Sequence, residues 1–124
     1  MREVPLIEEV YEELPLVRGC DNFYIAKLFD AATGASLPLS MVADIVCQFR
    51  DKRGEDAKVV ISASVSGLRN AEGEVLVCVP GKDTANLSPG QVLWADLKVT
   101  LVTGHVFNKP VGGQAFRVIE RVTQ

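Results

Sequence analysis

The chain has 124 residues, of which 48% are hydrophobic and 23% are charged, and its formal net charge at pH 7 is −3. This length allows one domain with a single core, and the ordinary apolar fraction excludes global disorder. The mild negative charge argues against nucleic-acid or membrane binding as the main task. The first residues lack the order of a secretory signal, so we expect a protein made in the cytoplasm.

An acidic segment, residues 1–18, precedes the first clear β pattern. Four of its apolar side chains have the i, i+3, i+4, i+7 spacing of a helix, and they are Ile7, Val10, Tyr11 and Leu14. Pro5 and Pro15 limit such a helix to one or two turns. The same segment also fits an extended arm that rests on a neighbour. We therefore predict an N-terminal arm or short helix, residues 1–18, outside the main sheet, followed by a β-sandwich domain, residues 19–124.

The β pattern begins at residue 22. The first predicted strand, residues 22–30, has apolar side chains on both faces and ends at a turn over residues 30–34. Residues 41–50, 59–66 and 74–79 are further strand segments. The clearest is residues 59–66, whose apolar face opposes a face of serines and is interrupted only by Val60.

Residues 81–90 connect the fourth strand to the longest strand pattern of the chain. We predict that Asp83 or Thr84 caps a single helical turn, that Leu87 points into the core, and that Pro89-Gly90 starts the next strand. Residues 91–101 then alternate strictly, with one apolar face formed by Leu93, Ala95, Leu97, Val99 and Leu101. Beyond them we expect a tight turn at residues 103–105, a flexible loop at residues 108–113 and a final strand at residues 114–122.

These segments amount to about seven strands at spacings near a dozen residues, without an amphipathic helix of domain size. That arrangement predicts an all-β protein, either an antiparallel sandwich or a barrel. The predicted core contains Phe23, Ile25, Ile45, Phe49, Ile61, Leu93, Leu97, Val99 and Phe116.

Residues with catalytic or metal-binding chemistry are few and scattered. Cys20, Cys47 and Cys78 are widely spaced, and two of them lie in apolar strand patterns, which is typical of reduced structural thiols. His105 is the single histidine and has no neighbouring acid or nucleophile in the sequence. The acidic loop at residues 51–56 departs from EF-hand spacing. We therefore predict no catalytic residues, no metal and no cofactor.

A series of short motifs follows the strand order. It comprises Asp-Ala-Ala-Thr-Gly at residues 30–34, Leu-Pro-Leu at 37–39, Phe-Arg-Asp at 49–51, Gly-Glu-Val-Leu-Val at 73–77, Asp-Thr-Ala-Asn-Leu at 83–87 with Pro-Gly at 89–90, and Ala-Asp-Leu at 95–97. Over residues 23–123 this order resembles a β-sandwich module of tailed bacteriophages, as in the N-terminal domains of baseplate upper proteins and in tail-fibre-attaching proteins. Ala95 stands where that module usually has an aromatic residue, and residues 1–18 have no counterpart in it.

The resemblance implies an immunoglobulin-like antiparallel β-sandwich of about seven strands. It also implies a non-enzymatic structural role in a bacteriophage particle, in the tail, the baseplate, a fibre attachment or a head-to-tail connector. The expected partners are other phage structural proteins and further copies of the chain in a homo-oligomer, with the virion as the location. Neither nucleic acid nor membrane is an expected partner.

Apolar residues outside the predicted core indicate a candidate assembly interface. They are Leu6, Ile7, Val10, Leu14, Val42, Val46, Val60, Val92 and Trp94. Two alternatives stay open for the arm, which either folds over its own sheet or crosses to a neighbouring subunit where Trp94 anchors the contact. The alternative function is a soluble carbohydrate- or host-protein-binding module that uses the loops at residues 51–56 and 103–113. Those loops carry a single aromatic side chain, Phe107, whereas sugar sites usually present several.

Overall fold

The computed structural model describes residues 5–7, 13–30, 33–54, 56–67 and 73–120. These residues form strands joined by short connections, together with a 3₁₀ turn at Leu39–Met41 and a one-turn helix, α1, at Gly81–Thr84. The strands are β1 (Pro5–Ile7), β2 (Leu14–Val17), β3 (Asn22–Asp30), β4 (Val42–Arg50), β5 (Val59–Gly67), β6 (Glu74–Val79), β7 (Val92–Leu101) and β8 (Val106–Ile119).

The strands pair in the order β1-β3-β6-β5-β4-β7-β8-β2. Every pairing is antiparallel except that of β2 with β8, which is parallel. Strand β5 pairs with β4 through its first half, up to Ala63, and with β6 through its second half, from Ser64 onward. The sheet therefore turns at β5, and its two halves fold into two layers.

Contacts between distant strands in this order show that the two layers face each other. Tyr24 on β3 and Phe116 on β8 have ring centroids 4.9 Å apart in an edge-to-face arrangement. The Tyr24 hydroxyl also donates to the Pro15 carbonyl on β2, at 2.6 Å. One layer, β1-β3-β6-β5, and the other, β4-β7-β8, have the strand orders of the two sheets of an immunoglobulin domain. The all-β, immunoglobulin-like sandwich is confirmed.

The core lies between the two layers and contains most of the predicted residues. Phe49 and Leu93 are fully buried, and the rings of Phe49 and Phe116 meet edge to face with centroids 5.0 Å apart. The other predicted core residues that are buried are Ile61, Leu97, Val99 and Phe116. Ile45 is half-buried and packs against this cluster.

Two core predictions are wrong. Phe23 and Ile25 are 60% and 58% exposed, because β3 turns its other face inward. That inner face carries Tyr24, Ala26 and Leu28, of which Leu28 is fully buried. Lys27 lies on the same face as Phe23 and Ile25, and burying its ammonium group without a buried partner would cost several kcal/mol.

The described parts of the N-terminal segment are strands inside the sheet, so the prediction of a helix or of an arm outside the sheet is wrong for them. β1 pairs with the end of β3, and β2 pairs with β8. Leu16 on β2 is completely buried in the core. The chain enters β3 through Asn22, whose side-chain amide bonds the backbone of Val17 in both directions. Of the predicted helical residues, Val10 and Tyr11 lie outside the described residues.

The connection at residues 81–90 contains the single helical turn that we predicted, but the capping assignment is wrong. Pro80 occupies the N-cap position of α1 and makes no side-chain cap bond, while Asp83 is exposed. Thr84 is fully buried, accepts from the Gly19 amide at 2.9 Å and donates to the Gly81 carbonyl. Thr84 therefore ties α1 to the turn between β2 and β3. Leu87 packs against the core, as predicted.

The predicted loop at residues 108–113 is part of strand β8, so that prediction is wrong. Asn108 pairs with Lys98 and Gln114 pairs with Ala95, so residues 110–113 form a bulge opposite Asp96. Gly113 has φ +90°, and a Cβ atom there would lie 3.0 Å from the Cβ of Trp94. Glycine thus lets the strand continue where the sequence pattern indicated a break. The tight turn after Leu101 is confirmed by the bond from the Gly104 amide to the Leu101 carbonyl.

Candidate assembly surface

An apolar face lies on the outer side of β3 and β6, and we call it the β3–β6 face. It is formed by Phe23, Ile25, Leu76 and Cys78. The strand register pairs Phe23 with Cys78 and Ile25 with Leu76, so the four side chains form a two-by-two block. Phe23 and Ile25 are more than half exposed, and Leu76 and Cys78 are half-buried. Side chains of this size in adjacent pairs make a continuous patch, not isolated surface residues.

The inner face of β6 explains why these side chains point outward. Val75, Val77 and Val79 are 1%, 5% and 0% exposed, so the alternating residues of β6 must face solvent. On β3, Tyr24 is half-buried against the core and plays the same role. Burial raises the pKa of Tyr24 to about 12, and the bond to Pro15 satisfies its hydroxyl. The inward-facing residues of β3 and β6 thus determine which side chains of these strands point outward.

Polar groups frame the β3–β6 face at both ends. At one end Lys27 and Glu74 form an ion pair with an N–O distance of 4.0 Å. At the other end Asp21 is exposed, and its Oδ1 atom accepts from the Gly81 amide at 2.8 Å. An apolar centre with a charged rim is the arrangement found in protein–protein contact surfaces.

A row of small side chains extends the face onto β5. Ser64 pairs with Cys78 and Ser66 pairs with Leu76, and both serines are exposed. Short side chains raise no steric obstacle beside the apolar block. A flat partner surface can therefore approach all three strands at once.

The interface residues that we predicted from the sequence are distributed differently. Val46, Val92 and Trp94 lie half-buried on the outer side of β4 and β7, in the opposite layer. Leu14, Val42 and Val60 pack partly against the core. Leu6 and Ile7 belong to β1, at the edge of the layer that also contains β3 and β6. Val10 lies outside the described residues. The described members of the set do not form one patch.

Trp94 nevertheless has a defined setting. Its neighbours across the strands are Arg50 on β4 and Ala115 on β8. Arg50 donates to the Ala57 carbonyl and to the Gln48 side chain, both at 2.9 Å. The surface around Trp94 is therefore more polar than the β3–β6 face.

The two loops of the alternative binding hypothesis lie at opposite ends of the sandwich. The connection from β4 to β5 follows Arg50, which pairs with Trp94 near the start of β7. The turn from β7 to β8 follows Leu101, which pairs with Val42 at the start of β4. The two loops cannot line one site. In the second turn, the rings of His105 and Phe107 stack with centroids 6.2 Å apart, and Thr103 bonds the His105 ring.

The cysteines are free thiols. Cys47 is buried, and its pKa is raised to about 12, mainly by burial and further by the charge of Asp96. Cys20 and Cys78 are half-buried. Among the described residues, the His, Cys, Asp and Glu side chains form no group of three that could hold a metal ion.

A shallow cleft of about 260 Å³ lies where β5 leaves β4 to join β6. Its walls include Leu39, Val42, Ile45, Val65 and Val75. This volume lies below the usual 300–1,000 Å³ of ligand pockets. The β3–β6 face is therefore the stronger candidate for a contact surface.

One solved structure supports the fold. The chain is similar to CopC from Methylosinus trichosporium OB3b, with 14% identity and a TM-score of 0.55 over 98% of this chain and 99% of that one. A complex of Dpr1 IG1 with DIP-eta IG1 matches with 11% identity and a TM-score of 0.41, over 94% of this chain and 98% of that one. No protein-family model and no curated protein matches the sequence. None of the helices in the described part of the chain has the length and apolarity needed to span a membrane.

The sequence contained a signal for the β3–β6 face that our core prediction did not use. Asp21 and Lys27 share the parity of Phe23 and Ile25 along β3, and Glu74 shares that of Leu76 and Cys78 along β6. A charged residue marks the solvent side when both faces of a strand are apolar. The lateral pairing of the two strands is the part that only the structure shows.

Proposed function

We propose that the chain is a non-catalytic structural module that works through protein–protein assembly, with the β3–β6 face as its contact surface. The observation that carries this proposal is the exposure of Phe23 and Ile25 beside Leu76 and Cys78 in the middle of a layer. Burying an exposed phenylalanine or isoleucine contributes about 1–2 kcal/mol each when roughly half of the side chain is removed from water. A protein that leaves both in water keeps a driving force for association.

The proposed setting is a bacteriophage particle, in the tail, the baseplate, a fibre attachment or a head-to-tail connector. The support for this setting is the resemblance of residues 23–123 to tailed-phage β-sandwich modules, and the immunoglobulin-like fold agrees with it. The proposed partners are other structural proteins of the particle and copies of this chain. The proposed location is the virion.

The function as a carbohydrate- or host-protein-binding module is the weaker hypothesis. Its two loops lie at opposite ends of the sandwich, so each would have to bind alone. The turn at residues 102–105 offers the exposed His105 ring stacked on the half-buried Phe107. One such pair is a small platform for a sugar.

Mass spectrometry of purified particles tests the setting. If the chain is a structural component, its peptides are present in particles at a fixed ratio to the major tail or head proteins. Particles that assemble and infect without the chain would contradict the proposal.

A paired variant experiment tests the contact surface. Phe23→Ser/Ile25→Ser should abolish incorporation into particles while leaving the circular dichroism spectrum unchanged. The matched control is Val102→Ser/Val106→Ser, which removes two exposed apolar side chains (62% and 49%) from the β7–β8 turn. Equal incorporation of the two double variants would show that the β3–β6 face has no part in assembly.

A further inference from the structure

We propose that the partner on the β3–β6 face is a second copy of this chain, packed face to face about a two-fold axis that runs across the strands. This proposal rests on the assembly function proposed above and specifies its partner. The strand register supplies the axis. Tyr24, Val77 and Val65 lie side by side in one row across β3, β6 and β5. A two-fold rotation about this row brings the outward residues on one side of the row over the partner's residues on the other side.

The apolar groups of the face are complementary to themselves under this rotation. Phe23 comes to lie over the partner's Ile25, and Leu76 over the partner's Cys78. Ser64 lies over the partner's Ser66, where two small side chains let the sheets approach. Each large side chain thus meets a side chain of the neighbouring row, as in the interdigitated packing of two sheets about 10 Å apart.

The charged rim is complementary as well. Rotation about the Tyr24 row places Lys27 opposite the partner's Asp21, and both side chains are exposed in the single chain. The contact therefore forms two equivalent ion pairs, one at each end. An axis parallel to the strands would instead stack β3 on the partner's β6. It would place Lys27 opposite the partner's Glu74, which repeats a pairing already present within each chain, and would leave Asp21 without an opposite charge and both serines outside the contact. The pairing of Asp21 and the larger area favour the axis across the strands.

The size of the face sets the strength of the contact. Three strands spaced about 4.8 Å apart and roughly seven residues long cover about 300 Å² on each copy. The total of about 600 Å² is half of the roughly 1,200 Å² at which stable complexes begin, so we expect a dissociation constant on the order of 0.1–1 mM. Such a contact is weak for two free chains and becomes strong when many copies are held in one assembly.

Cysteine cross-linking tests the register directly. Packed sheets lie about 10 Å apart, which is too far for a disulfide between them, so a short bismaleimide is the appropriate reagent. Because Leu76 faces the partner's Cys78, Leu76→Cys treated with this reagent should give a covalent dimer at twice the 13.4 kDa of the chain on a denaturing gel. The control is Val102→Cys, a more exposed position away from the face, which should remain at the wild-type level of cross-linking. If Leu76→Cys gives no more dimer than Val102→Cys with the same bismaleimide, the proposed packing is wrong.

Sedimentation analysis tests the partner without new cysteines. The wild type should show a rising average mass up to about 1 mM, and Phe23→Ser/Ile25→Ser should stay monomeric. The exchange Lys27→Glu/Glu74→Lys keeps the internal ion pair and the net charge but turns the contact with the partner's Asp21 into a repulsion. We expect it to weaken the dimer by about threefold or more, with an unchanged melting temperature.

The outcomes separate this proposal from the general assembly function. A wild type that stays monomeric at about 1 mM, while Phe23→Ser/Ile25→Ser still loses incorporation into particles, would overturn the self-contact and leave assembly with a different protein. A trapped dimer of a chain that is missing from particles would support the self-contact and contradict the proposed phage function.

Discussion

Replacement of Asn22 by alanine should be among the most destabilising polar substitutions in this protein. Asn22 is 8% exposed, and its side chain accepts from the Val17 amide at 2.9 Å and donates to the carbonyls of Val17 and Cys20 at 3.0 and 2.9 Å. Asn22→Ala leaves three backbone groups without these partners. At about 1 kcal/mol for each lost bond, we expect the free energy of unfolding to fall by about 3 kcal/mol. For a domain of this size that corresponds to a melting temperature lower by roughly 12 °C.

Urea denaturation followed by circular dichroism measures this loss, and a second asparagine provides the control. Asn86 is exposed in the connection after α1, so Asn86→Ala should change the free energy of unfolding by less than about 0.5 kcal/mol. If Asn22→Ala costs less than about 1 kcal/mol, the side chain does not hold β2 to β3 and our reasoning about the N-terminal segment is refuted.

Four further substitutions or reactions test the fold. Gly81→Ala should lower stability by about 1–3 kcal/mol in chemical denaturation, because its Cβ would lie 2.7 Å from the Gly19 carbonyl oxygen. Leu97→Ala should cost about 2–5 kcal/mol as a core truncation, and a loss below 1 kcal/mol would contradict its burial. Burial raises the pKa of Cys47 to about 12, so a thiol reagent at pH 8 should label the native protein at the other cysteines first, as peptide mass spectrometry would show. Burial also raises the pKa of Tyr24 from 10.0 to about 12, so its contribution to stability is complete below pH 10 and is lost as the pH rises from 10 towards 12; Tyr24→Phe should flatten this alkaline decline.

Strand β7 shows what the sequence alone could predict. Its residues alternate, and Asp96 and Lys98 stand on one face, so the opposite face had to be the core. Strand β3 is harder because both faces are apolar. The inward orientation packs the half-buried Tyr24 against the core, and its hydroxyl donates a hydrogen bond to the Pro15 carbonyl. That acceptor comes from β2, a strand that the local pattern did not predict.

The ends of the sheet could not be predicted for a similar reason. β2 pairs in parallel with β8, about a hundred residues away, and local spacing carries no information about such a partner. The bulge in β8 contains Pro110 and two glycines, which locally indicate a loop. Pairing with β7 on both sides of the bulge keeps it within the strand.

The candidate site was missed in the sequence for a different reason. Our prediction collected apolar residues that faced away from the assumed core, and the wrong orientation of β3 removed Phe23 and Ile25 from that set. The alignment of β3, β6 and β5 in one register, which makes the face complementary to itself, depends on long-range pairing. Composition and periodicity do not determine that register.

Side-chain footprinting of the chain in free and assembled form tests most directly whether the β3–β6 face is the assembly surface. Hydroxyl radicals should oxidise Phe23 readily in the free protein, where it is 60% exposed, and several-fold less in purified particles. Phe107, half-buried in the opposite layer, should react equally in both states. If Phe23 is oxidised equally in both states while Trp94 becomes protected, the contact is made by the β4–β7 layer and the proposed surface is wrong.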